Sequence, residues 1–270
     1  MSWTASSLTS ISVLLVAGCA MQPAAGTLLH AEDFATAENW VLEAEQPTAR
    51  VVARGGVLHI DTPAGLTLWF KPRLTGPVEI EFEAMAVSEG GRHDQVSDLN
   101  VFWMATNRDG GAPMSPIRAG RFEAYNDLRT YYVGLGGNRN TTTRFRRYIG
   151  DPVQRPLLPG HDLRGADTLL IANRWQRITL LADGSRIEYR RDGQVLFAFE
   201  DPAPYTTGWF ALRTTKSHLR IRHLRIHSRS GGSRPATYGH VARGPRFFPL
   251  IRVDAVGVGV YNARPLAKAP

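Results

Sequence analysis

The chain has 270 residues, 43% of them apolar, with 11 Phe, 6 Trp and a single Cys, so it can bury a core and cannot build a disulfide framework. The same composition excludes collagen-like, coiled-coil and multi-span membrane architectures. The formal charge of +8 is unevenly placed: residues 1–209 hold 20 Lys and Arg against 23 Asp and Glu, a net of −3, and residues 210–270 hold 12 against 1, a net of +11.

From Ser10 to Ala20 the chain is apolar and small, too short to cross a bilayer as a helix and matched to a signal-peptide core. Val16-Ala17-Gly18-Cys19 resembles a bacterial lipobox, in which small residues admit a signal peptidase ahead of a Cys that becomes lipidated. The resemblance implies a leader over 1–19, a lipid on Cys19 and, with Ala20 rather than Asp following, an exported protein anchored to the outer membrane. A linker over 20–29 then leads into the body of the protein.

From about residue 49 apolar residues alternate with polar ones, in short segments separated by Gly, Pro, Asp and Asn. Val78, Ile80, Phe82, Ala84 and Ala86 alternate with Glu79, Glu81 and Glu83, which predicts a half-buried strand with an acidic outer face. Asp183-Gly184 and Asp192-Gly193 are turn signals between three apolar-alternating runs, and so predict an antiparallel meander. In the run His218 to Ile226, Leu219 and Ile221 keep one parity and Leu224 and Ile226 the other, which requires a bulge near Arg222-His223. No stretch of 28–230 carries a long helical period. Roughly eleven to thirteen strands in one domain over 30–229 predict an all-β antiparallel sandwich. Residues 230–270 mix Gly, Pro, Arg and short apolar pieces and read as a basic, disordered extension. Its charges are scattered singly without repeating aromatics, so nucleic acid is not expected as a partner.

The closing meander, Trp175-Gln-Arg-Ile-Thr-Leu through Gly208-Trp-Phe-Ala-Leu-Arg213, resembles the last strands of concanavalin A-like jelly rolls, the lectin and glucanase sandwich. Val96-Ser-Asp-Leu-Asn-Val-Phe-Trp-Met-Ala105, Tyr131-Tyr-Val-Gly-Leu-Gly-Gly-Asn138, Thr143-Arg-Phe-Arg-Arg-Tyr148 and Arg155-Pro-Leu-Leu-Pro-Gly-His161 resemble a bacterial family of concanavalin-like domains of unknown function found with rhamnogalacturonan-type polysaccharide degradation genes. The resemblance spans about residues 28–228 and implies a concave sheet that faces a glycan.

Independently of that family, residues 121–150 carry six Arg against Glu123 and Asp127, with four Tyr among them. On a strand Arg144, Arg146 and Tyr148 share one face, at roughly 6.8 Å per residue pair. Guanidiniums grip a carboxylate bidentately and hold their charge at any working pH, so the pattern points to an acidic, uronate-bearing glycan. β-Elimination on such a sugar needs the carboxylate neutralised while a proton is removed beside it and another is given to the departing oxygen. Arg144 and Arg146 are the candidates for neutralisation, Tyr132 and Tyr148 for acid and base, and His161 for their partner. Asp98 and Asn100, which share a face on an otherwise apolar strand, are expected to bind substrate, together with Arg92 and His93 in a loop, Asn138 and Arg147. Glu79, Glu81 and Glu83 resemble the carboxylate ladder of jelly-roll glucanases but sit where an outer strand is expected. No metal site and no cofactor are expected. Two alternatives to a lyase remain, a non-catalytic carbohydrate-binding lipoprotein and a glycoside hydrolase on the same fold.

Overall fold

The computed structural model describes residues 26–229; Cys19 with its leader, most of the linker and the extension at 230–270 lie outside the described residues. In chain order the strands are β1 (Leu28–Glu32), β2 (Trp40–Ala44), β3 (Arg50–Arg54), β4 (Val57–Thr62), β5 (Leu66–Phe70), β6 (Leu74–Thr75), β7 (Val78–Ala86) and β8 (Leu99–Thr106). They continue as β9 (Arg129–Gly136), β10 (Thr142–Ile149), β11 (Asp162–Leu163), β12 (Gln176–Asp183), β13 (Arg186–Arg191), β14 (Gln194–Glu200), β15 (Thr207–Thr214) and β16 (Ser217–Ser228). Helical pieces among the described residues are single turns at Phe122–Tyr125, Gly137–Asn140 and Ala166–Thr168.

The strands form two antiparallel eight-stranded sheets, β14-β13-β12-β7-β16-β4-β3 with β1 beside β16, and β11-β10-β9-β8-β15-β5-β2 with β6 beside β15. This is the concanavalin-like jelly-roll sandwich. Alternation explains most of it. Val78, Ile80, Phe82 and Ala84 of β7 are buried in the core between the sheets, and Glu79, Glu81 and Glu83 face outward. On that outer face Arg229 holds Glu79 and Arg222 holds Glu83, each at 2.7 Å. The acidic ladder therefore lies on the outer face of one sheet, on the far side of the core from the other. The Asp192-Gly193 turn has positive φ at both residues, as a tight hairpin requires. The expected bulge in β16 is present as a register shift between Arg222 and Arg225, with His223 at φ 56°, and it returns Leu224 and Ile226 to the core.

Two strands escaped the sequence pattern. β1 is an edge strand with both of its leucines exposed, so it has no burial alternation to read, and β2 is paired to β5 by residues far along the chain. β1 also begins at Leu28, inside the stretch expected to be linker.

One edge of the sandwich is pinned by Asp201, buried at 1% exposure. It accepts hydrogen bonds from Tyr131 Oη and Arg147 Nε, both at 2.7 Å, and from the Ala203 amide at 3.0 Å. Burial alone would raise its pKa; the three donors outweigh burial and hold the carboxyl below its ordinary value. A depressed folded pKa means stability that is complete above the unfolded value of about 3.9 and is lost as pH falls through the folded one. Thermal melts of the native protein and Asp201→Asn should therefore coincide in strong acid and separate to a constant gap above about pH 5. A gap of the same size at every pH would refute this role.

Candidate functional site

The face of the second sheet turned away from the core carries a second apolar cluster: Trp69, Phe102, Ala105, Tyr132, Tyr148 and Ala211 from the strands, with Tyr125 and Leu128 from the segment joining β8 to β9. That segment lies across the sheet and leaves a cleft of about 240 Å³ over β9 and β10. Its lining includes Asp98, Phe122, Tyr132, Asn138, Arg144, Arg146, Arg155 and Thr215.

Strand parity delivers the first group of side chains. Arg146 lies opposite Tyr132 in the β9–β10 register, and the Tyr132 and Tyr148 rings are 5.5 Å apart. Gly134 is dictated by the same packing: a Cβ there would stand 2.5 Å from Tyr132 Oη and 3.1 Å from Asn100 Oδ1. Asn138 is presented by a left-handed turn, with φ values of 68° at Gly136, 54° at Asn138, 58° at Arg139 and 60° at Asn140. Such a run costs energy for residues other than glycine. It is held by paired bonds at 2.9 Å between the Asn140 side chain and the Leu170 backbone, and by Asp98 N donating to Gly136 O at 3.0 Å. Asp98 itself accepts from Thr215 Oγ1 at 2.9 Å and from Ser97 Oγ.

The electrostatics are lopsided. Arg144 is paired with Asp162 through two bonds at 2.9 and 3.2 Å. Arg146, Arg155 and Arg213 have no carboxylate partner among the described residues. Arg146 donates only to the Arg155 carbonyl, and burial, with Arg155 and Arg144 beside it, pushes its pKa down. Arg213 is 1% exposed, bonded to Thr67 Oγ1 at 2.8 Å and Gly120 O at 2.9 Å, and stacked beneath Phe122 and Tyr125 at 5.1 and 4.7 Å. Two buried polar atoms on this floor lack a hydrogen-bond partner, Asn100 Oδ1 and Arg213 Nε, and Arg155 acts as a hydrogen-bonding neighbour of Tyr148. Burial, then Tyr148 and Asp98, raise the Tyr132 pKa well above its ordinary value despite Arg213 and Arg146. Burial likewise raises that of Tyr148, against the pull of Arg155 and Arg146. Both phenols are therefore protonated at neutral pH.

Of the residues singled out from sequence, Tyr132, Tyr148, Arg144, Arg146, Asp98, Asn100 and Asn138 come together here. His161 does not. Its ring packs on Phe145 at 4.9 Å and on Phe197 and Phe199 at 5.8 and 6.0 Å, on the core side of the sheet, and burial lowers its pKa. Arg147 has the opposite parity from Arg146, so it turns away to Asp201 and stacks on Tyr205 at 4.4 Å. Arg92 and His93 line a separate hollow with Lys216, and His93 Nδ1 meets Asp61 at 2.7 Å. Phe122, Arg155, Thr215 and Arg213 were not singled out from sequence. Only Arg213 left a signal there, as a charge sharing the parity of Trp209 and Ala211 on an apolar strand.

The fold has several solved counterparts. A protein of unknown function with a galectin-like fold from Bacillus subtilis superposes with a TM-score of 0.60 at 14% identity, covering 76% of this chain and 99% of that one. A LamA variant from Z. galactanivorans, in complex with laminaritriose and laminaritetraose, gives 0.53 at 12% identity, over 76% and 100% of the two chains. The Emp46p carbohydrate recognition domain in metal-free form gives 0.51 at 13%, over 75% and 96%. No curated protein matches the sequence. A family model described as a domain of unknown function (DUF6250) matches residues 60–224, a span holding every residue of the cleft, and the chain belongs to that family.

Proposed function

We propose that this is a carbohydrate-active protein whose concave cleft binds an acidic, uronate-bearing saccharide. The observation that carries the reading is the gathering of Arg146, Arg155 and Arg213, none with a carboxylate partner among the described residues, around the Tyr132 and Tyr148 phenols. Burial, with Arg155 and Arg144 nearby, disfavours the Arg146 charge until an anion arrives. A sugar carboxylate supplies that anion, and Asp98, Asn138 and Thr215 supply partners for ring hydroxyls. A phosphate or sulfate would satisfy the same charge, but a wall of Asp98 beside the cations favours a ligand with hydroxyls to donate. Carbohydrate-complexed and carbohydrate-recognising proteins that share the sandwich support the glycan class.

Recognition is the best-supported mode, and β-elimination is second. Tyr132 is protonated and stands opposite Arg146, so it holds a proton for a departing glycosidic oxygen, but burial makes it a weak acid. The base is the weak member, since Tyr148 is also held protonated and His161 faces the core. Hydrolysis by the Glu79, Glu81 and Glu83 ladder is disfavoured by its place on the opposite sheet. Calorimetric titration of pectate, alginate, glucuronan and rhamnogalacturonan oligosaccharides, followed by ultraviolet detection of unsaturated uronate, tests these readings in order. Heat of binding without the chromophore is the expected outcome; binding with the chromophore establishes a lyase, and no binding to any acidic glycan refutes the proposal.

The lipid anchor belongs to the same proposal, because a tethered receptor keeps captured saccharide at the cell envelope. Cys19→Ala should shift the protein from the membrane to the soluble fraction of the producing cell, and an unchanged distribution would refute the anchor.

A further inference from the structure

Resting on that reading of the cleft, we propose that it is a blind pocket for the terminal residue of an acidic saccharide, with the carboxylate at a walled end formed by Phe122, Arg155 and Arg146 and the chain leaving past Asn138 and Thr215. An open groove along the second sheet would accept the middle of a polymer. Here the segment between β8 and β9 removes that option.

The wall is built in, not draped. Gly120 is pressed onto β2 so closely that a Cβ would stand 2.5 Å from Glu45 N and 2.6 Å from Ala44 C. Its carbonyl takes a bond from buried Arg213, whose guanidinium also supports the faces of Phe122 and Tyr125. Glu43, 1% exposed, accepts from Trp69 Nε1, Tyr125 Oη and the Arg118 amide at 2.9, 2.8 and 2.7 Å. Arg118 in turn bonds Ala124 O at 2.8 Å and Asn107 Oδ1 at 2.7 Å, tying both ends of the segment together. Across the cleft Arg155 lies over the Phe122 ring at 5.3 Å, while its own carbonyl is held by Arg146. The two covering segments thus meet, and the sheet beyond them is filled by Trp69, Phe102 and Tyr125.

Volume and polarity agree with an end-binding site. About 240 Å³ is smaller than the roughly 300–1,000 Å³ of pockets that enclose drug-sized ligands, and fits about one or two sugar rings. The cations Arg146 and Arg155 cluster with Phe122 at the wall, and Asp98, Asn138, Thr142 and Thr215 occupy the other end, beside the β9–β10 turn. A terminal uronate placed carboxylate-first meets cations, and its hydroxyls meet acceptors.

The test uses the full chain and a homologous series of uronate mono-, di-, tri- and hexasaccharides, with polymer fractions of equal mass and different mean length. Affinity should rise to the disaccharide and then stay within about two-fold, and binding capacity per mass of polymer should double when mean chain length is halved. Affinity that keeps climbing to the hexasaccharide, or capacity in the unaltered protein that follows mass and ignores chain length, overturns end recognition while leaving acidic-glycan binding intact. Absence of binding to every member of the series overturns both.

Discussion

Replacing Arg146 with alanine should weaken binding of a uronate oligosaccharide by about 30- to 150-fold, the equivalent of about 2–3 kcal/mol for a charge-assisted pair in a partly desolvated site. The same substitution should leave the melting temperature unchanged or raise it. Burial and the neighbouring Arg155 and Arg144 already disfavour the Arg146 charge in the free protein, which offsets the loss of its bond to the Arg155 carbonyl, and it has no carboxylate partner among the described residues to lose. Opposite signs on binding and stability are what a side chain retained for its ligand produces, and a structural arginine does not behave that way. Arg146→Lys should recover only part of the affinity, because an ammonium cannot reproduce the two-point grip of a guanidinium on a carboxylate. A carboxyl-reduced version of the same oligosaccharide should bind the native protein and the alanine variant equally. If the alanine variant binds the uronate normally, Arg146 is not the carboxylate site.

Glu43→Ala should be the most destabilising single change in the covering segment, at about 3–5 kcal/mol. The carboxylate is buried and takes three hydrogen bonds, from Trp69, Tyr125 and the Arg118 amide, so alanine strands two buried donors and a half-buried one at once. For a domain of this size that corresponds to a fall of about 6–20 °C in melting temperature. Glutamine keeps the shape and one acceptor, and should lose about half as much. Glu43 does not line the cleft, so any loss of saccharide affinity in the glutamine variant reports release of the Phe122 wall. A melting temperature within about 2 °C of the native value for the alanine variant would show that the segment is held by packing alone.

Which site residues the sequence reveals depends on where each residue gets its neighbours. Tyr132, Arg144, Arg146 and Tyr148 lie on two adjacent strands, and the two-residue period that sets their face is a local property of extended chain. The same period, applied strictly, turns Arg147 away from its neighbours, and Arg147 does bond Asp201 on the other side. His161 had no period to argue from. It ends a segment without regular structure between β10 and β11, and the contacts that turn its ring into the core come from Phe197 and Phe199 on the opposite sheet.

Patterns along the chain are enough for the fold class, the meander with its Asp-Gly turns, the bulge that rescues the register of β16, and the shared face of the Arg and Tyr side chains. Each rests on alternation or turn chemistry within a few residues. Folding in three dimensions lays the β8–β9 segment over the second sheet, puts Arg213 beneath it, and brings Phe122 and Arg155 together across the cleft. Those contacts join residues tens of positions apart, through hydrogen bonds and ring stacking that carry no sequence period. Whether the site is a groove or a pocket is therefore settled by long-range packing, and it cannot be read from any single strand.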